Sequence, residues 1–136
     1  MTAGRQVLVA VYAVFALAAG ARSTVQLLTR GDEAPLAYSL SLVAALVYLV
    51  ATVALRRTGP TAHRVAVAAV SFELLGVLVV GTLTVADPEL FPDQTVWSTY
   101  GIGYGFVPLV LPVAGLWWLL RVSRSSAHRR PAASGR

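Results

Sequence analysis

The chain has 136 residues, 57% of them hydrophobic and only 12% charged, with a formal net charge of +5 and no cysteine. Soluble domains carry about twice that share of charge, and the missing cysteines exclude disulfides, thiolate metal sites and cysteine nucleophiles. The basic balance does not point to nucleic acid, because the arginines stand at the ends of long apolar blocks rather than along a basic patch or stripe.

Four apolar blocks are long enough, at about 1.5 Å per residue, to cross a hydrocarbon core of roughly 30 Å. They cover residues 6–28, 37–55, 65–86 and 102–122. Strand-like alternation is absent, and only helices or closed barrels satisfy the backbone in lipid. The expected fold is therefore all-α: a polytopic membrane protein with four transmembrane helices in an antiparallel bundle over residues 1–122. A basic tail, 123–136, follows and is expected to be disordered.

The first block has a second reading. Arg5, the apolar run Val7–Ala18 and then Ala19-Gly20-Ala21 have the layout of a cleavable signal peptide. Cleavage would leave three spans. Val25-Gln26-Leu27-Leu28 continues the apolar character past the small residues and favours an intact helix.

Short connections follow the first two blocks. Residues 29–36 carry Gly31 and Pro35, and residues 56–64 carry Gly59-Pro60; both read as turns that set neighbouring helices side by side. The third connection, residues 87–100, is the longest, punctuated by Asp87-Pro88 and Phe91-Pro92-Asp93. Its Leu90, Phe91, Trp97 and Tyr100 are expected at the headgroup level, where aromatic rings collect.

Charge orients these blocks. Of the 11 basic residues, all but Arg22 and Arg30 fall before block one, in the second connection, or at and beyond the end of block four. Every acid except Glu73 falls on the other side, at Asp32, Glu33, Asp87, Glu89 and Asp93. The positive-inside rule then places both termini in the cytoplasm of a multi-pass plasma-membrane protein. The arginine-rich tail has two readings, an electrostatic hold on anionic lipid or a simple flank that ends translocation.

Helical spacing assigns faces. In block three, Ala62, Ala66, Ala69, Glu73, Gly76 and Val80 make one stripe of mostly small residues, with Phe72, Leu75, Leu78, Val79 and Leu83 opposite. Small residues mark close helix contact in membranes and bulky ones suit lipid. Tyr12, Ala16, Ala19, Ser23 and Gln26 repeat the pattern in block one, and Tyr38, Ser41, Ala45, Tyr48 and Thr52 in block two. Gly101, Gly105, Pro108, Pro112 and Gly115 do so in block four.

Glu73 is the one acid inside a block. Such a residue is costly and normally faces protein or a water-filled cavity. It lies about 12 Å from the inner edge, near the midplane, with Tyr48 at about the same level. Pro108 and Pro112 cannot donate to the carbonyls of Tyr104 and Pro108, and together with Gly101, Gly103 and Gly105 they should kink block four. These estimates predict a polar site of Glu73, Tyr48, Tyr104, Pro108 and Pro112, with a protonated Glu73 donating to Tyr48 or a freed carbonyl. Arg22 lies roughly 12 Å above Glu73. It is expected to snorkel outward toward Asp32 or Glu33, forming an outer polar cluster with Gln26 and Ser41 rather than pairing with Glu73.

Nothing in the chain suggests an enzyme, a metal or a cofactor. His63 and His128 stand in basic flanks without ligand or triad partners. Gly101-Ile102-Gly103-Tyr104-Gly105 follows no strand and lacks the remaining residues of a phosphate loop. Asp87, Glu89 and Asp93 read as a solvated acidic loop.

The run DPELFPDQTVWSTYGIGYGFVPLVLPVAGLWWL, with ALAAGARSTVQL and EAPLAYSLSLVAALVYLVATVALRR before it, resembles a family of small, uncharacterised actinobacterial integral membrane proteins. The resemblance covers nearly the whole chain and implies four plasma-membrane spans; it supplies no activity and no functional residues. Small multidrug carriers also have four spans and one membrane glutamate, but theirs lies in the first span, and nothing is carried over from them.

Three functions stand open on these grounds. The first is a non-enzymatic partner, accessory or structural component of the membrane, held by the lipid bilayer and by a second copy or another membrane protein. The second is a small proton- or cation-linked transporter using Glu73. The third is a lipid- or quinone-like ligand site between blocks three and four.

Overall fold

Proline and glycine set the helix starts. A computed structural model of the chain describes residues 2–129, with side chains described as far as Arg121. Helix α1 spans Ala3–Arg30, α2 Pro35–Arg56, α3 Pro60–Ala86 and α4 Val107–Arg129. Pro35 and Pro60 open α2 and α3, where a missing N–H costs nothing. Gly59 before Pro60 has φ of 105°, a conformation that favours glycine. The Thr2 hydroxyl accepts from the Arg5 N–H at 3.3 Å and caps α1.

Among the described residues there is no strand. Helices α1, α2 and α3 are each long and apolar enough to cross a membrane, and α4 makes a fourth when taken together with the bent segment before it. Helix α1 passes through Ala19-Gly20-Ala21 without a break.

The helices alternate in direction. Gly20 faces Ala45 while Tyr12 packs on Tyr48, so α1 and α2 run oppositely. Gly4 meets Trp118 while the Tyr104 ring packs at a tilt on Phe15, so α4 and the segment before it also run opposite to α1. The buried stripe follows helical spacing: Tyr12, Ala19, Ser23 and Gln26 in α1, and Ala66, Ala69, Glu73, Val77 and Val80 in α3. Phe72, Leu75, Leu78, Val79 and Leu83 stand on the exposed side of α3.

Two expectations about the last block are corrected. Its α-helix starts at Val107, not at residue 102, because residues 98–104 form a separate 3₁₀ segment, Ser98–Tyr104. The chain bends by 100° between that segment and α4. The kink expected in block four is therefore present and uses Gly101 and Gly105 of the expected glycine series, but it does not come from the prolines. Pro108 sits in the first turn of α4, where no intrahelical donor is required, and only Pro112 lies within the helix. The turn is made by left-handed residues: Thr99, Tyr100, Gly101, Gly105 and Phe106, with φ of 48°, 60°, 85°, 64° and 61°. For the non-glycine members this costs on the order of 1–3 kcal/mol each, which surrounding contacts must outweigh. One such contact is the Phe106 N–H donating to the Gly101 carbonyl at 3.0 Å. Another is the ring of Pro108, which covers Gly101 so closely that a Cβ there would lie 2.7 Å from it.

The third connection is corrected as well. Phe91 and Trp97 do not rest at a surface; they are 8% and 2% exposed and belong to the buried core. Tyr100 lies against Gly81, while Leu90 stays exposed. The tail expected to be disordered from residue 123 is helical as far as Arg129, as the end of α4. Its remainder, 130–136, lies outside the described residues.

Candidate functional site

Glu73 is fully buried on the inner face of α3. Its partner is not Tyr48. The hydroxyl of Tyr12, from α1, donates to Glu73 Oε1 at 2.6 Å, while Glu73 Oε2 has no hydrogen-bond partner among the described residues. Tyr48 Oη instead accepts from the Trp97 indole N–H at 2.8 Å. The Tyr12 and Tyr48 rings pack on each other at 6.1 Å between centroids, and Tyr48 meets the Trp97 ring edge-on at 6.5 Å. The sequence Glu73–Tyr12–Tyr48–Trp97 is thus a contiguous buried column that joins α3, α1, α2 and the third connection. Its two hydrogen bonds are separate, linked only through ring packing.

Tyr104 stands apart from this column. Its hydroxyl accepts from Arg22 Nη1 at 3.2 Å, and its ring packs on Phe15 at 5.6 Å. Arg22 therefore does not reach toward Asp32 or Glu33 as expected. Arg30 occupies that region, 3.8 Å from Glu33 and 3.9 Å from Asp93. Pro108 and Pro112 are fully buried, Pro108 against Gly101, and neither contributes a hydrogen bond to Glu73. Gly115 of α4 instead brings its backbone close to the Tyr12 hydroxyl, a Cβ there lying 3.5 Å away.

The outer cluster has more members than Arg22, Gln26 and Ser41. Ser41 Oγ accepts from the Val96 N–H at 3.3 Å, and Gln26 is buried on α1. Arg22, Ser23, Ser41, Gln94 and Tyr104 surround a void of about 10 Å³, room for about one water molecule. Tyr38 at the start of α2 donates to Asp93 Oδ2 at 2.8 Å. That bond holds the Asp93 carboxyl below the usual carboxylate range, aided by the Gln94 N–H and the Arg30 charge against the cost of burial.

The turn between these contacts is self-supporting. Ser98 Oγ accepts from the Thr95 N–H at 2.7 Å, and Thr95 Oγ1 accepts from the Trp97 N–H at 3.0 Å. This small hydroxyl network ties the backbone locally, so that Trp97 is projected between α2 and α3. Room for it is made by Gly76: a Cβ there would lie 2.6 Å from the Trp97 ring.

Two participants escaped the sequence reading. Tyr12 lies on the face that spacing assigns, and its distance of about 9 Å along block one from Gln6 is close to the roughly 12 Å of Glu73 along block three from Val65; that comparison pairs them. Trp97 had no such signal, because a loop residue has no depth that spacing can supply. Among the described residues no cation pairs with Glu73, and no group of three His, Asp or Glu side chains comes together to hold a metal. No protein-family model matches the chain, and neither a curated protein nor a solved structure matches it.

Proposed function

We propose that this chain is a multi-pass plasma-membrane protein with four crossings and both termini in the cytoplasm, acting without catalysis as a partner or accessory component of a membrane assembly. The observation that carries the reading is the use made of the polar interior. Glu73, Tyr12, Tyr48 and Trp97 have at most 2% exposure each and spend their hydrogen bonds tying helices and the third connection together. The apolar side chains turned outward, such as Leu17, Leu28, Leu75 and Trp117, suit lipid or another apolar helix. The arginine asymmetry supports the orientation.

A chain without cysteine makes the topology directly measurable. Single cysteines at Thr58 and at Glu89, labelled in intact cells with a membrane-impermeant maleimide, should react only at Glu89. Labelling at Thr58 alone would overturn the orientation. For the accessory role, Glu73→Gln should leave the protein folded and leave proteoliposome proton flux no different from the parent chain.

A second reading rests on one atom. Glu73 Oε2 is buried without a partner among the described residues, and such an acid is where a small proton- or cation-linked carrier would bind its ion. Flux that is present in the parent chain and lost in a folded Glu73→Gln variant would favour it over the accessory role.

A further inference from the structure

The α2–α3 end carries a groove that the polar interior does not use. Its volume is about 540 Å³, and its lining includes the apolar Leu49, Val53, Ala54 and Val65 together with Arg57 and Thr61. The shape follows from the sequence of side-chain sizes. Small Ala54, Thr58 and Thr61 lie where the two helices meet at Gly59-Pro60, and larger Leu49, Val53 and Val65 rise on either side. From Arg57 to Leu49 the groove runs about 12 Å along α2, most of the roughly 15 Å depth of one leaflet's hydrocarbon.

Its charge is unmatched. No described carboxylate lies within ion-pair distance of Arg57, since the only ion pairs among the described residues are those of Arg30. Arg56 and Arg64 add further positive charge at the same end. An apolar trough that runs most of one leaflet's depth, with an unpaired guanidinium and a hydroxyl in its lining near Gly59-Pro60, matches one kind of molecule: an acyl chain that carries an anionic head.

We propose that this groove holds an anionic glycerophospholipid of the cytoplasmic leaflet, one acyl chain lying along Leu49, Val53 and Val65 and the phosphate held by Arg57 and Thr61. The inference rests on the membrane reading above. Arginine suits the role because its planar fork donates two parallel bonds to phosphate oxygens.

The test is native mass spectrometry of the full chain released from micelles containing equal amounts of dioleoylphosphatidylglycerol and dioleoylphosphatidylcholine. The parent chain should retain the glycerol lipid about fivefold over the choline lipid, the effect expected of one arginine near the surface. Arg57→Gln should bring the ratio to about one. Thr61→Phe, at an exposed position, should fill the trough and reduce both adducts. Arg121→Gln, whose arginine lies 5.0 Å from the Trp117 ring centroid on α4, should keep the preference. Equal adducts in the parent chain, a preference surviving Arg57→Gln, or an equal loss in Arg121→Gln would each overturn the site. So would a dimer that Thr61→Phe dissociates without any change in lipid retention, since the occupant would then be a second copy. Flotation of the parent chain with vesicles separates the two layers of inference: a chain that fails to float refutes the membrane reading and this site with it, whereas one that floats but shows no preference refutes the site alone.

Discussion

Replacing Gly76 with alanine tests how the third connection enters the bundle. In an exposed helix interior the change should help by about 0.8–1 kcal/mol, because alanine is the better helix former. Here the added Cβ would lie 2.6 Å from Trp97 Cζ3, 2.7 Å from Cη2 and 3.0 Å from Cε3. An ordinary contact begins at 3.4 Å, so the indole must move by roughly 0.8 Å, the difference of 3.4 and 2.6. The five-membered ring of the same indole is held by the Tyr48 hydroxyl at 2.8 Å, so a shift of that size must distort or break that hydrogen bond. The lost bond costs about 1 kcal/mol and the overpacking about 1–3 kcal/mol, against the gain of about 1 kcal/mol in helix propensity. The net expectation is a destabilisation of about 1–3 kcal/mol, read as a lower midpoint in thermal unfolding of the purified protein in detergent. Acrylamide quenching of Trp97, with Trp117 and Trp118 replaced by phenylalanine, should rise in the same variant. Combining Gly76→Ala with Trp97→Leu should recover part of the loss, because the smaller side chain leaves room for the Cβ. A Gly76→Ala variant that is as stable as the parent or more so, with Trp97 no more quenchable, would refute an indole packed on this glycine.

Three further outcomes follow from the same geometry. Tyr12→Phe leaves both Glu73 oxygens without a described partner and should destabilise by about 1–3 kcal/mol, whereas Glu73→Gln preserves an acceptor for Tyr12 and should cost less than Tyr12→Phe; equal unfolding midpoints for Tyr12→Phe and the parent would contradict the pairing. Gly81→Ala pushes on the Tyr100 ring and backbone and should break the Thr82–Tyr100 hydroxyl contact of 3.0 Å, exposing amides 98–104 to faster hydrogen exchange; unchanged protection there would argue against the close approach. The Asp93 carboxyl is held below its unfolded value of about 3.9, mainly by Tyr38, so its contribution is complete above that value and is lost as pH falls through the lower folded one. After correction for intrinsic rates, exchange at residues 91–97 should accelerate at low pH in the parent chain but not in Asp93→Asn; the same acceleration in both would assign the effect to another group.

The apolar interior and its faces were legible because helices repeat. Tyr12, Ala16, Ala19, Ser23 and Gln26, or Tyr38, Ser41, Ala45, Tyr48 and Thr52, recur at three- and four-residue steps, and all but the half-buried Ala16 are buried. The same regularity converts residue number into distance along a helix, which argues against an Arg22–Glu73 pair, and Arg22 bonds Tyr104 instead. Block lengths and the absence of alternation led to the all-helical reading, and three helices meet the length and apolarity that a crossing needs, with the bent pair as a fourth. Spacing names a face but not the neighbour on it, and so it points Glu73 to Tyr48 where Tyr12 holds it.

The stretch from Asp87 to Phe106 had no repeat to read. Its aromatics have the composition of a headgroup belt, and composition cannot distinguish a ring lying at an interface from one driven inward by a turn. The deciding features are backbone angles at Thr99, Tyr100 and Phe106 and the room left by Gly76 and Gly81 on a helix some twenty residues earlier in the chain. A glycine announces space without saying what fills it. For Glu73, the sequence by itself determined an acid placed on a packed seam near the middle of its helix. Only the tertiary structure decided that Tyr12 would meet one oxygen, and that Tyr48 would be taken by Trp97, because those choices depend on which side chains arrive from other parts of the chain.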